Sequence, residues 1–288
     1  MVYLECLAPR VVGRTLDRVR LINPFVLRSV DPPLSAAEGR EVVGLRRIGK
    51  RLVLALEGER FLDIHLMIAG RLRWRTPGRA PAGRPALAAF EFATGALVLT
   101  EAGSTRRASL HVVRGAAGLA QFDRGGLEPL ESAAEAFAER LRSERHTVKC
   151  ALTDPRLFSG IGNAYSDEIL HRARLSPLAL TDRLDGETIG RLYDAVRSVL
   201  AEWIARLRAE VGDGFPEKVT AFREGMAVHG RYRQPCPVCG APVQRIRYAA
   251  NETNYCARCQ TGGRLLADRA MSRLLKEDWP RSLEALEE

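Results

Sequence analysis

Short apolar runs, separated by turn-forming residues, dominate roughly the first 115 residues of the chain. Several runs alternate loosely between apolar and polar positions, which is typical of β-strands with one face in a core. Gly49, Gly58 and Gly95 fall between runs and indicate turns. The predicted strands lie within residues 15–22, 41–56, 61–74, 88–92, 96–100 and 109–113. Many short strands at this spacing predict a β-sandwich or a barrel.

Other parts of the chain show the period of an α-helix. An apolar stripe precedes the first predicted strand and consists of Val2, Leu4, Leu7 and Val11. From residue 131 the composition becomes helical, with Ser132 as the predicted N-cap of a helix and a short helix at 148–152. A long amphipathic helix is predicted between Asp185, its N-cap, and Gly212, which ends it.

The composition adds a preference for an anionic partner. The chain has 288 residues, with 44 lysines and arginines against 35 acidic residues, so its formal net charge is +9. The length predicts two or three modules, and the apolar share of 46% excludes a disordered chain. Because the positive charge is spread along the chain, we expect a polyanionic partner, although an arginine-rich composition alone would give the same sum.

The sequence predicts neither a membrane span nor a secretory signal. No run approaches 18 uncharged apolar residues. Glu5 lies where a signal peptide needs a cationic region followed by an apolar one. We therefore expect a cytoplasmic protein without a membrane partner.

Four of the six cysteines form two Cys-x-x-Cys pairs, with sixteen residues between the pairs. In a reducing compartment, two such pairs predict a zinc ribbon in which four thiolates close a tetrahedral site. The predicted ligands are Cys236, Cys239, Cys256 and Cys259. Because a closed four-sulfur site leaves no position for water, the expected cofactor is one structural Zn²⁺. Cys6 and Cys150 stand alone.

The segment SGIGNAYSDE, residues 159–168, carries a second chemical signal. Its two glycines allow close approach of the backbone, and Asn163 is predicted to be the N-cap of the next helix. Free backbone N–H groups at a helix N-terminus bind phosphate, and Lys149 could supply a point charge to the same phosphate. The alternative is an ordinary tight turn between two helices. Glu168 is expected to serve packing or a hydrogen bond.

Basic side chains of the β-rich half are further candidates. Lys50 lies in the turn IGKR, His65 ends the apolar run FLDIH, and Arg106 and Arg107 precede the last predicted strand. His65 alone is equally typical of a core histidine with satisfied hydrogen bonds. Residues 71–84 contain five arginines and no acid, which indicates a loop that faces either the polyanion or solvent.

These motifs, in this order, resemble the formamidopyrimidine-DNA glycosylase and endonuclease VIII family of base-excision repair enzymes over nearly the whole chain. The resemblance is carried by LAPRVVGR (7–14), VDPPL (30–34), IGK (48–50), HLMIAGRL (65–72), TRR (105–107), GIGNAYSDE (160–168), HGRYRQPCPVCG (229–240) and YCARCQ (255–260). It implies an α+β fold with an N-terminal β-sandwich and flanking helix, a helix-two-turn-helix domain and a C-terminal zinc ribbon. The implied domains are 1–115, 116–228 and 229–288.

The resemblance also implies a function. It implies a DNA glycosylase with AP-lyase activity, a monomer of the cytoplasm and nucleoid that holds damaged double-stranded DNA between its sandwich and helical domains. Asn163 and Lys149 are implied to hold the phosphate of the lesion. His65 is implied to lie near the DNA backbone, and Arg106 and Arg107 to bind DNA. Lys50 matches a family lysine that assists in the lesion pocket or in elimination, which makes it the candidate catalytic residue.

The N-terminus departs from the family pattern. Family members begin Met-Pro-Glu-Leu-Pro, and the proline amine attacks C1′ of the flipped nucleotide. A terminal amine has a pKa of about 8, against roughly 10.4 for lysine, so more of it is unprotonated at neutral pH. This chain begins MVYLE, and this segment matches the family sequences about seven residues after their initiator methionine.

Two readings of that departure are open. Either the native start lies upstream and the protein is a full enzyme, or the chain is truncated and binds damaged DNA without the glycosylase step. A third hypothesis is a zinc-ribbon protein of transcription or RNA handling. The β-rich half and the GIGN turn argue against it.

Three further positions differ from the family pattern. The residues that wedge into the DNA align with Ile68 and Ala108, and Met67 is displaced by one position. The arginine that usually stands five residues before the third cysteine aligns with Asn251, so a neutral amide replaces a guanidinium that clamps phosphate. An altered wedge and an altered phosphate contact are therefore expected.

Overall fold

Two units make up the chain in the computed structural model: residues 1–124 with 204–219, and residues 125–203 with 220–288. The structure describes residues 1–77, 85–102, 106–217, 222–248, 251–267 and 281–287. The predicted arginine-rich loop at 71–84 is wrong in its first part, because residues 71–75 belong to a strand, Gly70–Arg75, whose backbone groups pair with a neighbouring strand. Residues 78–84 lie outside the described ranges.

Two antiparallel sheets form the first unit. Its strands are β1 (Thr15–Leu16), β2 (Arg18–Leu21), β3 (Arg40–Ile48), β4 (Arg51–Leu56), β5 (Arg60–His65), β6 (Gly70–Arg75), β7 (Ala86–Phe92), β8 (Gly95–Glu101) and β9 (Ser109–Arg114). The five-stranded sheet has the order β1-β3-β4-β5-β9, and the four-stranded sheet has the order β2-β7-β8-β6. Apolar side chains of both sheets share one core. The predicted sandwich is confirmed.

The sequence of β4 explains its central place in the five-stranded sheet. Leu52, Leu54 and Leu56 enter the core between the sheets. On the other face, Val53 packs in a cluster with Leu119 of helix α2 (Gly115–Ala120). Because both faces of β4 are covered, its sequence RLVLAL is a continuous apolar run instead of an alternating one.

Helix α1 (Val2–Val11) confirms the helix predicted before the first strand. Leu7 and Val11 are fully buried and belong to the core of the sandwich, while Leu4 is partly buried against it. The apolar stripe therefore faces the sheets, as an amphipathic helix of a globular unit requires. The structure also has 3₁₀ helices at Pro24–Val26, Leu34–Ala37 and Thr181–Arg183.

Four helices build the core of the second unit: α3 (Ala134–Arg142), α4 (Val148–Thr153), α5 (Asn163–Arg172) and α6 (Gly186–Val211), the last of which continues into the first unit. Asp185 caps α6 as predicted, because its carboxylate accepts the Thr188 N–H at 2.8 Å. The predicted cap of α3 is wrong. Ala133 occupies its N-cap position, so Ser132 lies one residue too early.

The zinc ribbon completes the second unit. Strands β10 (Val243–Tyr248) and β11 (Asn251–Cys256) pair antiparallel, followed by helices α7 (Ala257–Thr261) and α8 (Glu284–Glu287). A small core lies beside the hairpin and includes Val228, Val243 and Tyr255. Within the described ranges, no helix is long and apolar enough to span a membrane.

Candidate nucleic-acid interface and zinc site

The four cysteines of the ribbon lie together as predicted. Their Sγ atoms all fall within 4.8 Å of one another. The Sγ–Sγ distance is 3.9 Å between Cys236 and Cys259 and 3.4 Å between Cys239 and Cys256. A tetrahedral zinc with Zn–S bonds of about 2.3 Å separates its sulfurs by about 3.8 Å. The cluster therefore fits one structural zinc ion with four thiolate ligands.

Tight turns place these sulfur atoms. The N–H of Cys236 donates to the Ala241 carbonyl, and the N–H of Gly240 donates to the Cys236 carbonyl, both at 2.9 Å. Gly240 has a φ of +75°, which glycine adopts without steric cost. The ring nitrogen Nε2 of His171, in α5, lies 3.3 Å from the Cys236 Sγ. The helical part of the unit thus contacts a zinc ligand directly.

The two residues predicted to bind phosphate meet in the second unit. The Lys149 ammonium donates to the Asn163 carbonyl at 2.8 Å and to the carboxylate of Asp167. Lys149 is buried, and this burial lowers the pKa of its ammonium, although the charge of Asp167 opposes the shift. An ammonium has three N–H donors, so one donor remains beyond these two contacts.

The predicted N-cap role of Asn163 is wrong. Gly162 occupies the N-cap position, and Asn163 is the first residue of α5. Its side-chain amide Nδ2 donates instead to the Glu252 carbonyl in β11 at 2.8 Å. The amide therefore joins the helix to the ribbon, and its second N–H is left for another acceptor.

Two adjacent carboxylates of α5 bind the segments that lead into the ribbon. The buried carboxylate of Asp167 accepts from His229 Nδ1 at 2.7 Å and from the Asn254 N–H at 3.1 Å. Glu168 accepts three backbone N–H groups, those of Ala227 at 2.7 Å and of Val228 and His229 at 2.9 Å. The expectation that Glu168 serves a hydrogen bond is confirmed.

Lys50 and His65 lie at one end of the sandwich in the first unit. His65 ends β5 opposite Arg51, the first residue of β4, and Lys50 is the turn residue before it. Burial, with the charges of Arg51 and Lys50, lowers the pKa of His65 to about 4, so its imidazole is neutral at pH 7. Lys50 keeps exposed surface, but burial by the surrounding protein lowers the pKa of its ammonium.

A buried ionic cluster lies beside this end of β4 and β5. Asp63 is fully buried, and both its carboxylate oxygens accept from Arg51 Nε at 2.9 Å. His111 Nδ1 lies 3.3 Å from the same carboxylate. The Arg51 guanidinium and the His111 ring both pack on Phe122, at 4.6 and 4.8 Å from its centroid. Burial alone would raise the pKa of Asp63, but hydrogen bonds from His111 and Arg51 lower it.

Arg106 and Arg107 are exposed and lie just before β9, separated from it by Ala108, and the first residue of β9 pairs with His65. The buried Glu101 carboxylate accepts the N–H groups of Arg107 and Ala108 at 3.0 Å, which fixes the backbone there. Ile68 is 80% exposed in the turn after β5, whereas Ala108 is 3% exposed. Of the two aligned wedge positions, only Ile68 presents an apolar side chain to solvent.

Comparison with known proteins connects these sites to one family. Models of the formamidopyrimidine-DNA glycosylase N-terminal domain, of its H2TH domain, and of the zinc finger found in FPG and IleRS match residues 2–109, 126–212 and 233–262. The formamidopyrimidine-DNA glycosylase of Heliobacterium modesticaldum is 34% identical over 268 residues, which cover 88% of this chain and 95% of that protein. The chain belongs to the formamidopyrimidine-DNA glycosylase family.

Other members support the same assignment. The formamidopyrimidine-DNA glycosylase of Thermus thermophilus is 35% identical over 271 residues, 89% of this chain and 95% of that protein. Among solved structures, the Lactococcus lactis FPG in complex with a FAPY-dG containing DNA matches with a TM-score of 0.79 and 25% identity, covering 90% of this chain and 97% of that one. The family's members are base-excision repair DNA glycosylases.

The sequence motifs predicted the zinc ligands of the ribbon. They did not predict the buried polar residues whose hydrogen bonds join one helix or strand to another. Asp167 and His229 lie 62 positions apart, and their contact has no local signature. Asp63 had a signal that could have found it. A charge inside the apolar run FLDIH must be paired when the strand is buried, because an isolated buried charge is costly.

His65 gives this glycosylase-family fold a pH dependence. The pKa of His65 is about 4 in the folded chain, below the ordinary value of 6.5, so the unfolded chain binds a proton at higher pH than the folded one. We expect the free energy of unfolding to fall as pH decreases from 6.5 towards 4.

Urea unfolding of His65→Gln over that range should show a smaller decrease than wild type. His146→Gln is the matched control, because His146 lies partly exposed in the second unit. Equal pH dependence in wild type and His65→Gln would contradict the assignment.

Proposed function

We propose that this chain binds damaged double-stranded DNA, excises oxidised bases and cleaves the strand at abasic sites. The observation that carries the proposal is the presence of all three family domains in one chain, with similarity to family members over 88% of its length. The structural zinc holds the ribbon, and no step of the reaction is assigned to it.

Lys50 is the proposed catalytic residue. Burial lowers the pKa of its ammonium, which raises the fraction of free amine at neutral pH. The amine nitrogen would attack C1′ of an open abasic aldehyde, and loss of water would form an imine. Water then takes a proton from C2′, the C–H electron pair forms a C2′=C3′ double bond, and the 3′ phosphate leaves with the electrons of the C3′–O bond, which breaks the strand. Neutral His65 beside it can bond to the DNA backbone without adding charge.

The proposed DNA contacts of the first unit are His65, Arg106 and Arg107. The two arginines are exposed at the same end of the sandwich as Lys50, so their charges are accessible to phosphates. In the second unit, Asn163 and Lys149 each keep one N–H donor beyond their contacts with the residues that the structure describes. We assign these donors to a phosphate of the damaged strand.

Borohydride trapping on a duplex with an abasic site tests the enzyme proposal. Wild type should form a covalent adduct with the DNA, and Lys50→Met should lower its yield at least about tenfold because the attacking amine is removed. Arg28→Met is the control, since Arg28 is an exposed cation of the same unit. An unchanged yield in Lys50→Met would assign the imine to another amine and reject Lys50.

A non-catalytic damaged-DNA binding protein is the second proposal. It is favoured by the second unit, where Asn163, Lys149 and the ribbon form one hydrogen-bonded assembly that needs no catalytic amine. Wild type that binds abasic duplex in a mobility-shift assay and forms no adduct would support this function and reject the first.

We also propose that the protein acts as a monomer in the cytoplasm at the nucleoid. DNA as the ligand, and a formal net charge of +9, support that location. Size-exclusion chromatography with light scattering should give the mass of one chain, and a dimer would contradict the proposal.

A further inference from the structure

One face of the ribbon hairpin carries two arginines and a glutamate in register. Arg245 pairs across the strands with Asn254, and Arg247 pairs with Glu252. Residues two positions apart on a strand share a face, so all four side chains lie on the same side. The Glu252 carboxylate is the common acceptor for the other three side chains. It lies 3.4 Å from Arg245 Nη1, 3.5 Å from Arg247 Nε and 2.9 Å from the Asn254 amide.

The three contacts of Glu252 differ in strength. The amide contact has the length of an ordinary hydrogen bond, and Asn254 is itself buried and fixed by the Gly230 N–H at 2.8 Å. Both arginine contacts exceed the 2.7–2.9 Å of a strong charge-assisted bond. The side chains of Arg245, Arg247 and Glu252 are 29%, 63% and 31% exposed. The ion pairs are therefore open to water and easily exchanged.

Arg245 is held in place independently of Glu252. Its guanidinium lies 4.0 Å from the centroid of the Tyr232 ring, a distance at which a cation and an aromatic face attract. Loss of the glutamate contact would therefore leave Arg245 near its present position. The site can lose its carboxylate without losing its cation.

The same hairpin segment contacts the proposed phosphate-binding residues. The Glu252 backbone carbonyl accepts from Asn163, whose own carbonyl accepts from Lys149. An acidic side chain at this point opposes the binding of an anion. One oxygen of that carboxylate, Oε2, faces both guanidinium groups, as an anionic oxygen of a phosphate would, while Oε1 accepts from the Asn254 amide.

We propose that the Glu252 carboxylate occupies the place of a DNA phosphate on the ribbon, and that Arg245 and Arg247 bind that phosphate when the DNA displaces Glu252. The two arginines carry +2 and the glutamate −1, so the displaced state offers one more positive charge to DNA than the closed state. Glu252 thus sets the affinity for duplex DNA. This inference rests on the proposed DNA-binding function.

The test is the salt dependence of duplex binding by Glu252→Gln. The amide keeps the size of the side chain and removes its charge. We expect the dissociation constant for a duplex with an abasic-site analogue to fall about tenfold at low salt. The slope of log K against log salt should steepen by about one phosphate contact. Arg245→Gln should weaken binding and make the slope shallower by a similar amount.

Two controls separate this role from a general charge effect. Glu135→Gln removes the same charge from an exposed position on α3 and should leave affinity and slope within about twofold of wild type. In the double variant Arg245→Gln/Glu252→Gln, the gain from Glu252→Gln should shrink, because one of the released guanidinium groups is absent. Zinc content and melting temperature establish that each variant is folded.

Each remaining outcome rejects a stated claim. If wild type binds the duplex and Glu252→Gln behaves like Glu135→Gln, the phosphate-mimic role is wrong and Glu252 is only a cross-strand ion pair. Weaker binding by a folded Glu252→Gln also rejects it. If wild type binds no duplex, the proposed function fails, and the inference fails with it.

Discussion

Cys239→Ser should lose the zinc ion and lower the affinity for damaged duplex DNA at least about 100-fold. The ribbon has only a small core, and a segment of that size needs a metal to hold its fold, because zinc contributes much of the folding free energy of such modules. Without the fold, β11 no longer presents the Glu252 carbonyl to Asn163, and Asp167 loses the Asn254 N–H. The residues proposed to bind phosphate, Asn163 and Lys149, then lose part of the hydrogen-bonding network that holds them in position.

Zinc content by mass spectrometry and affinity by fluorescence anisotropy measure the two losses. Cys150→Ser is the matched control, since Cys150 is exposed on α4 and lies outside the four-cysteine cluster. It should keep both zinc and affinity. Incubation of wild type with a chelator should reproduce Cys239→Ser. Loss of zinc with undiminished affinity would mean that the ribbon is peripheral to DNA binding.

Asp63→Ala should lower the free energy of unfolding by about 3–5 kcal/mol, because it leaves Arg51 partly buried without its carboxylate. The Arg51 side chain is 18% exposed and its guanidinium packs on Phe122, so this group cannot be fully hydrated without moving. The double variant Arg51→Met/Asp63→Ala should recover part of the loss, since it removes both charges.

Urea unfolding at pH 7 measures these differences. Glu91→Ala is the control, because it breaks the more exposed Arg20–Glu91 pair of the same sandwich, where the side chains are 43% and 27% exposed. That variant should lower the free energy of unfolding by less than about 1 kcal/mol. Equal losses in Asp63→Ala and Glu91→Ala would show that the buried cluster contributes no more than a surface ion pair.

The sandwich was predictable from sequence because its signals are local. The runs of β4 and β5 and the turn at Gly49 depend on neighbouring residues, and they lie where the pattern placed them. Helix starts were less predictable. Ser132 and Asn163 were both one position from the true N-cap, because capping depends on where the backbone turns and not only on which residue can cap.

The connections between elements could not be predicted. The four cysteines repeat a known spacing, and their cluster followed from it. By contrast, the contacts of Asp167 with His229 and of Glu252 with Asn163 join residues 62 and 89 positions apart. In a sequence, these polar residues are as typical of a solvated surface as of a buried hydrogen bond. Only the fold decides which buried donor meets which acceptor.

The surroundings of α5 have a consequence for synthesis on the ribosome. The Glu168 carboxylate accepts hydrogen bonds from the N–H groups of residues 227–229. Just after α5, the Leu175 carbonyl accepts a hydrogen bond of 2.9 Å from the side-chain amide of Gln260. At 5–20 residues per second, residue 260 emerges roughly 5–20 s after α5. During that interval the acidic residues of α5 have no partners from the ribbon. Metal uptake by the nascent ribbon and final closure of the helical core are therefore expected to occur together, as one late event of translation.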